Sequence, residues 1–116
     1  MAAPNIVGVT SIVGKTAVLV ANSTPANVVS NPASSNNVLK INTVTVANYS
    51  NATITANVDI FRSNTSYLIV GNVLVPANST MVVSGKDTAF YLEEGDGLRA
   101  TTSNTVHVVS SYEIIT

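Results

Sequence analysis

Apolar and polar residues alternate most cleanly between Ala52 and Phe61. Ile54, Ala56, Val58 and Ile60 share one face, and Thr53, Thr55, Asn57 and Asp59 share the other. A period of two puts successive side chains on opposite faces of an extended chain, so this segment predicts a half-buried antiparallel strand. The run before it, VLKINTVTVA from Val38 to Ala47, carries Leu39 and Ile41 in one phase and Val44 and Val46 in the other. A β-bulge at Asn42-Thr43 returns both pairs to one face. With Asn48-Tyr49-Ser50-Asn51 as a polar turn between the two runs, residues 38–61 are predicted to form a hairpin.

Arg62 to Ser66 predicts another polar turn. In the run YLIVGNVLVP that follows, Leu68 and Val70 are in one register and Val73 and Val75 in another, which predicts a bulge or bend at Gly71. Pro76-Ala77-Asn78-Ser79 then ends the ladder, because proline lacks an amide hydrogen and Asn and Ser favour turns. Short strands are predicted at Thr80–Ser84, Ala89–Leu92, Leu98–Thr102 and Thr105–Ile115. Their separators are Gly85-Lys86-Asp87, the Glu93 to Gly97 segment and Ser103-Asn104. Residues 1–37 hold valine-rich pieces broken by Gly8, Gly14, Pro25 and Pro32, and are predicted as short edge strands or an arm. Within them SNPASSNN, Ser30 to Asn37, is a loop.

Turn signals about every ten residues, with no stripe at helical spacing, predict a single antiparallel β-sandwich, jelly-roll-like, of about eight strands. Its core is expected to hold Leu39, Ile41, Val44, Val46, Ile54, Val58, Ile60, Leu68, Val70, Leu92, Val106 and Val108. The organisation expected is one domain, with residues 38–116 as the sandwich core.

Composition narrows the chemistry. A chain of 116 residues is one domain, and 46% hydrophobic content supplies a core without staples, which suits a sequence with no cysteine and hence no disulfide. Only 9% of residues are charged, against roughly a quarter in an ordinary soluble domain. Five basic residues, six acidic residues and one histidine give a net charge of -1, too little positive charge for a phosphate-binding or membrane-directed surface. Neither nucleic acid nor membrane is expected as a partner. The start lacks a basic n-region and the longest apolar runs are four or five residues, so the expectation is a protein made in the cytosol and not exported. Five Asn-x-Ser/Thr sequons, at Asn22, Asn48, Asn51, Asn64 and Asn78, are read as composition in a chain so rich in these residues.

Candidate reactive groups are few. Gly14-Lys15-Thr16 resembles the end of a phosphate-binding loop, but five residues rather than four separate Gly8 from Gly14. The β-branched run that follows does not start the helix such a loop needs, so the reading is a turn before a strand. Glu93, Glu94 and Asp96 form the densest acidic group. Calcium takes six or more oxygen ligands, which one tight turn rarely supplies, so these residues read as a solvated hairpin turn. Adjacent turn carboxylates also lack the separation an acid and base pair requires. His107 lies opposite the core-directed phase of Val106, Val108, Tyr112 and Ile114, and is expected at solvent or an interface. Tyr49, Tyr67, Tyr91 and Tyr112 are expected at the core edge or at subunit contacts, since no basic stripe interleaves them. No catalytic, cofactor or metal-binding residue is expected, and no cofactor.

Three stretches carry a resemblance: MAAPNIVGVTSIVGKTA, VPANSTMVVSGKDTAFYLEEGDGLRATTS and VVSSYEIIT. Together they resemble short β-rich virion structural proteins of tailed bacteriophages, of the marine cyanophage type. The matching positions are Pro4-Asn5, then Leu92, Glu94, Gly95 and Asp96 in the acidic turn, then Tyr112 and Glu113. Gly97 departs from the larger residue expected after Asp96 and implies a looser turn. The resemblance implies a virion component, made in the host cytoplasm. The function expected is a multi-copy capsid decoration (cement) protein without catalytic activity, contacting other virion proteins, the major capsid protein first, and copies of itself. The alternative is a neck, tail or fibre-associated module, structural or binding a receptor or carbohydrate, although the chain lacks an aromatic platform for sugars. Few charges protect the strand edges, so neighbouring subunits are expected to cover some of them, with Ala2 to Asn22 as the tether.

Overall fold

The alternating segments become two antiparallel sheets whose apolar faces meet. A computed structural model describes residues 11–116. Among the described residues the strands are, in chain order, β1 (Ile12–Ala21), β2 (Ala26–Ser30), β3 (Val38–Asn48), β4 (Ile54–Arg62), β5 (Thr65–Val75), β6 (Ser79–Ser84), β7 (Phe90–Leu92), β8 (Gly97–Thr102) and β9 (Val106–Ile115), with a 3-10 turn at Lys86–Thr88. One sheet runs β1-β9-β3-β6, with β7 also paired to β3, and the other runs β2-β8-β4-β5. The pairs β4 with β5, β3 with β6, β2 with β8 and β1 with β9 nest one outside the next. A folded-over ribbon has been wound across two layers, which is the jelly-roll arrangement of a sandwich.

That winding corrects one expectation. Residues 38–61 are not a hairpin: β3 and β4 lie in opposite sheets, and the segment between them turns a corner across the core. The reason is that both strands aim an apolar face at the same interior. Asn48, buried at the end of β3, holds the corner. Its side-chain amide donates to the carbonyls of Ala52 at 2.8 Å, Val75 at 3.1 Å and Pro76 at 3.1 Å, while its Oδ1 accepts from the amide and hydroxyl of Ser50. Asn31 does the same at another corner, donating to the carbonyls of Asn37 and Leu92 at 3.0 Å each.

Both predicted phase slips are present. The β3–β9 register shifts between Ile41 and Thr43, and Leu39, Ile41, Val44 and Val46 all reach the core. On β5 the ladder passes from Ala56↔Val73 to Val58↔Val70, so Gly71 and Asn72 bulge opposite Asn57. Asn72 takes a left-handed φ of 52°, and its amide is held by Asn57 Oδ1 at 2.8 Å. A further slip, between Val58 and Asp59, loops out Ile69 and reverses the phase of Leu68. Leu68 therefore leaves the expected core and stands 62% exposed, while Ile60 and Val70 only pack against it. Ala21, Val28, Val29, Ala56, Val75, Leu98 and Ala100 complete the interior.

Candidate functional site

The acidic segment is neither a hairpin turn nor solvated throughout. It carries the chain from β7 in one sheet to β8 in the other, and Asp96 is 3% exposed. Arg62, at the end of β4, reaches it with Nε to Oδ1 at 2.8 Å and a second guanidinium nitrogen to Oδ2 at 2.5 Å. The same guanidinium meets Glu93 at 2.9 Å, and the Glu93 amide donates to Asp96 Oδ2 at 2.8 Å. Burial pushes the Asp96 carboxyl up, but the Arg62 hydrogen bonds, the Glu93 amide and the Arg62 charge outweigh it, so the group is held below its ordinary range. Arg62 is raised in turn, chiefly by its hydrogen bond to Asp96. Glu94 is used elsewhere, accepting from the Asn36 amide at 2.9 Å. The acidic turn is thus a structural clasp closed by an arginine. Gly97 is also not a loosening, because a Cβ there would come within 2.7 Å of Asn27 Oδ1.

The other sequence candidates separate. Gly14-Lys15-Thr16 lies inside β1, not in a turn before it, and is fully extended along β9. A helix N-terminus, the feature that meets phosphate, is not formed there. Among the described residues no group of three His, Asp or Glu side chains is placed to hold a metal. Asp59 pairs with Arg99 at 2.8 Å, and Arg99 also covers the Phe61 ring at 4.0 Å, so this carboxylate too is engaged. Pro4-Asn5 falls outside the described residues, as does 2–10 of the expected tether. Of the remainder, 11–22, the stretch Ile12–Ala21 is committed to the protein's own sheet.

What the geometry does assemble is a surface. Ala17, Leu19 and Ala21 of β1 face the core, so Val18 and Val20 face outward. Cross-strand register places Val18 beside Val109, Thr45 and Val82, and Val20 beside His107, Ala47 and Thr80. No residue in these two rows is charged. Val18 is 76% exposed, Val82 64% and Val20 57%. His107 stacks on Tyr49 with ring centroids 4.5 Å apart, and Val18, Leu19, Val20, His107 and Val109 line an open, mainly apolar depression of about 320 Å³. Lys40 and Glu113, opposite one another on β3 and β9, lie toward the other end of the sheet. Isolated exposed valines are ordinary, whereas here three well-exposed valines share one uncharged stretch of the sheet.

The sequence located His107 on this outer face but not the patch around it. In β1 both phases are apolar near Ala17 to Ala21, so periodicity does not say which valines point out.

No protein-family model and no curated protein matches this chain. Its fold is similar to a chain in a solved structure described as Bacillus endospore appendages that form a novel family of disulfide-linked pili. The TM-score is 0.51 and the identity 11%, over 90% of this chain and 87% of that one. The likeness is one of fold. Disulfide linkage has no counterpart here, since the sequence contains no cysteine.

Proposed function

We propose that this chain is a non-catalytic structural subunit present in many copies on an assembled particle, and specifically a decoration protein on the head of a tailed phage. The observation that carries the structural reading is the uncharged outer face around Val18, Val20, Val82 and His107, a surface suited to a protein neighbour rather than to a substrate. Every carboxylate in the acidic turn is already engaged by an arginine or a backbone amide, which leaves no free pair for acid–base work. The phage context and the head location rest on the sequence resemblance. A fibre or tail-associated subunit is the second reading, favoured by the fold neighbour, which is described as a pilus.

The test is to locate and count the chain in purified particles. Many copies distributed over the head support decoration, and a few copies at the tail overturn it in favour of the second reading. Attachment through an apolar surface should survive a wash at 1 M salt, where the Debye length falls to about 3 Å. Loss of the protein in that wash would show that charge holds it.

A further inference from the structure

We infer that two copies of this chain join edge to edge through β1, antiparallel about a twofold axis at Thr16, to make one continuous sheet. The inference rests on the geometry of β1 and stands apart from the particle reading.

The four lateral edges of the sandwich differ in how they are protected. β2 has five residues, a register shift between Asn27 and Val29, and Pro25 and Pro32 just beyond its ends. β5 carries two bulges. The free edge beside β3 is divided between β6, six residues long, and β7, three residues long. Shortness, bulges and proline are the devices that keep sheet edges from pairing with other chains. β1 has none of them. It runs ten residues in unbroken register with β9, about 34 Å of regular strand, and its only charge is Lys15.

The hydrogen-bond phase of that edge follows from its end. Ser11 and Thr116 exchange both backbone bonds, amide to carbonyl at 3.2 and 2.9 Å. In an antiparallel ladder such pairs alternate with pairs whose amides and carbonyls point away. With no slip in register, the odd-numbered residues of β1 bond to β9. Ile12, Gly14, Thr16, Val18 and Val20 therefore turn their amides and carbonyls toward the open edge, where no described strand meets them.

Those five positions are self-complementary. With Thr16 opposite Thr16 of a second copy, Gly14 meets Val18 and Ile12 meets Val20, all on the outer face. All five residues exchange bonds, and the outer apolar patch becomes continuous across the junction. Lys15 falls opposite Ala17, so the two lysines do not face one another. Gly14 supports the same reading: a Cβ there would meet nothing within 4 Å, so its own sheet does not require a glycine, whereas a strand approaching from outside sets it against Val18, the most exposed valine among the described residues.

The test uses charge at the twofold. Thr16 is exposed, so Thr16→Lys and Thr16→Glu leave the fold intact, checked by an unchanged β spectrum. Like charges directly opposite one another disfavour pairing and opposite charges favour it. By sedimentation equilibrium up to about 1 mM, where even weak pairs are half formed, the wild type should be a dimer. Each variant alone should associate at least tenfold more weakly, and an equimolar mixture should recover the dimer. Amides of Gly14, Thr16 and Val18 should exchange faster on dilution. A monomeric wild type, a species larger than a dimer, variants that pair as the wild type does, a mixture that stays monomeric, or exchange at these amides independent of concentration would each overturn the inference.

Discussion

Arg62 and Asp96, 34 residues apart, meet through two hydrogen bonds of 2.8 and 2.5 Å that fasten the end of β4 to the corner between β7 and β8. The carboxylate is buried and the arginine side chain is 44% exposed, so the pair is anchored on one side and open to water on the other. Its energetic worth is therefore that of a charged hydrogen bond near the surface rather than of a fully buried ion pair.

Acidification should weaken this clasp in a defined direction. Asp96 is held below its ordinary value of 3.8, so the unfolded chain takes up the proton first as pH falls. The stabilisation is complete above about pH 4 and is lost as pH drops through the folded value. Asp96→Asn should cost about 1–3 kcal/mol at neutral pH. It should also flatten the fall in melting temperature below about pH 4. An identical acid slope in the variant and the wild type would mean that Asp96 does not carry the effect.

Register in β4 and β5 can be read from two substitutions of opposite outcome. Val58→Asp places an unpaired charge at a position with no solvent exposure, at a cost of several kcal/mol, comparable to the whole stability of a small domain. Leu68→Gln, on the outward side of the Ile69 slip and adding no charge opposite Asp59, should change stability by no more than about 0.5 kcal/mol. Equilibrium denaturation measures both, and equal damage from the two would contradict the second bulge.

Removing the side-chain amide of Asn48 should open a corner. Asn48→Ala leaves the carbonyls of Ala52, Val75 and Pro76 without their donor. The expected loss is about 2–3 kcal/mol, seen as a melting temperature lowered by roughly 10 °C. Asn48→Asp should be worse, because it keeps the acceptors and replaces the donor with a charge that faces three carbonyls.

Chelator should leave the melting temperature unchanged, and added calcium should not raise it. The physical reason is that a cation at Glu93 and Asp96 would have to displace the arginine already bound there. A rise of several degrees with calcium, reversed by chelator, would show that the cation wins that exchange.

Strands and bulges were legible because period-two alternation and its interruptions are local. Leu39 and Ile41 against Val44 and Val46 announce a slip wherever the strand is placed, and Gly71-Asn72 does the same. Pairing partners were not legible. A polar tetrapeptide such as Asn48 to Asn51 serves a hairpin turn and a corner between sheets equally well, and only the Asn48 bonds to residues 75 and 76 decide between them. Leu68 was misplaced because the Ile69 slip leaves no mark in a uniformly apolar run. The acidic turn looked solvated because Arg62 is distant in sequence, and Val18 and Val20 were hidden among valines and alanines of both phases.

The nested strand order also governs how the molecule is made. β9, the last of the described strands, is not an edge but lies between β1 and β3, and its partner β1 is the first of them. The sheet therefore closes across about a hundred residues of separation, the non-local arrangement that slows folding to milliseconds or seconds. During synthesis β1 and β3 emerge with their shared neighbour still missing, and two valine-rich edges face each other across a gap. Truncation within residues 106–115 would thus empty the middle of a sheet rather than trim its rim. A nascent chain held just short of β9 should be protease-sensitive throughout that sheet, and become resistant in one step once the final strand is released.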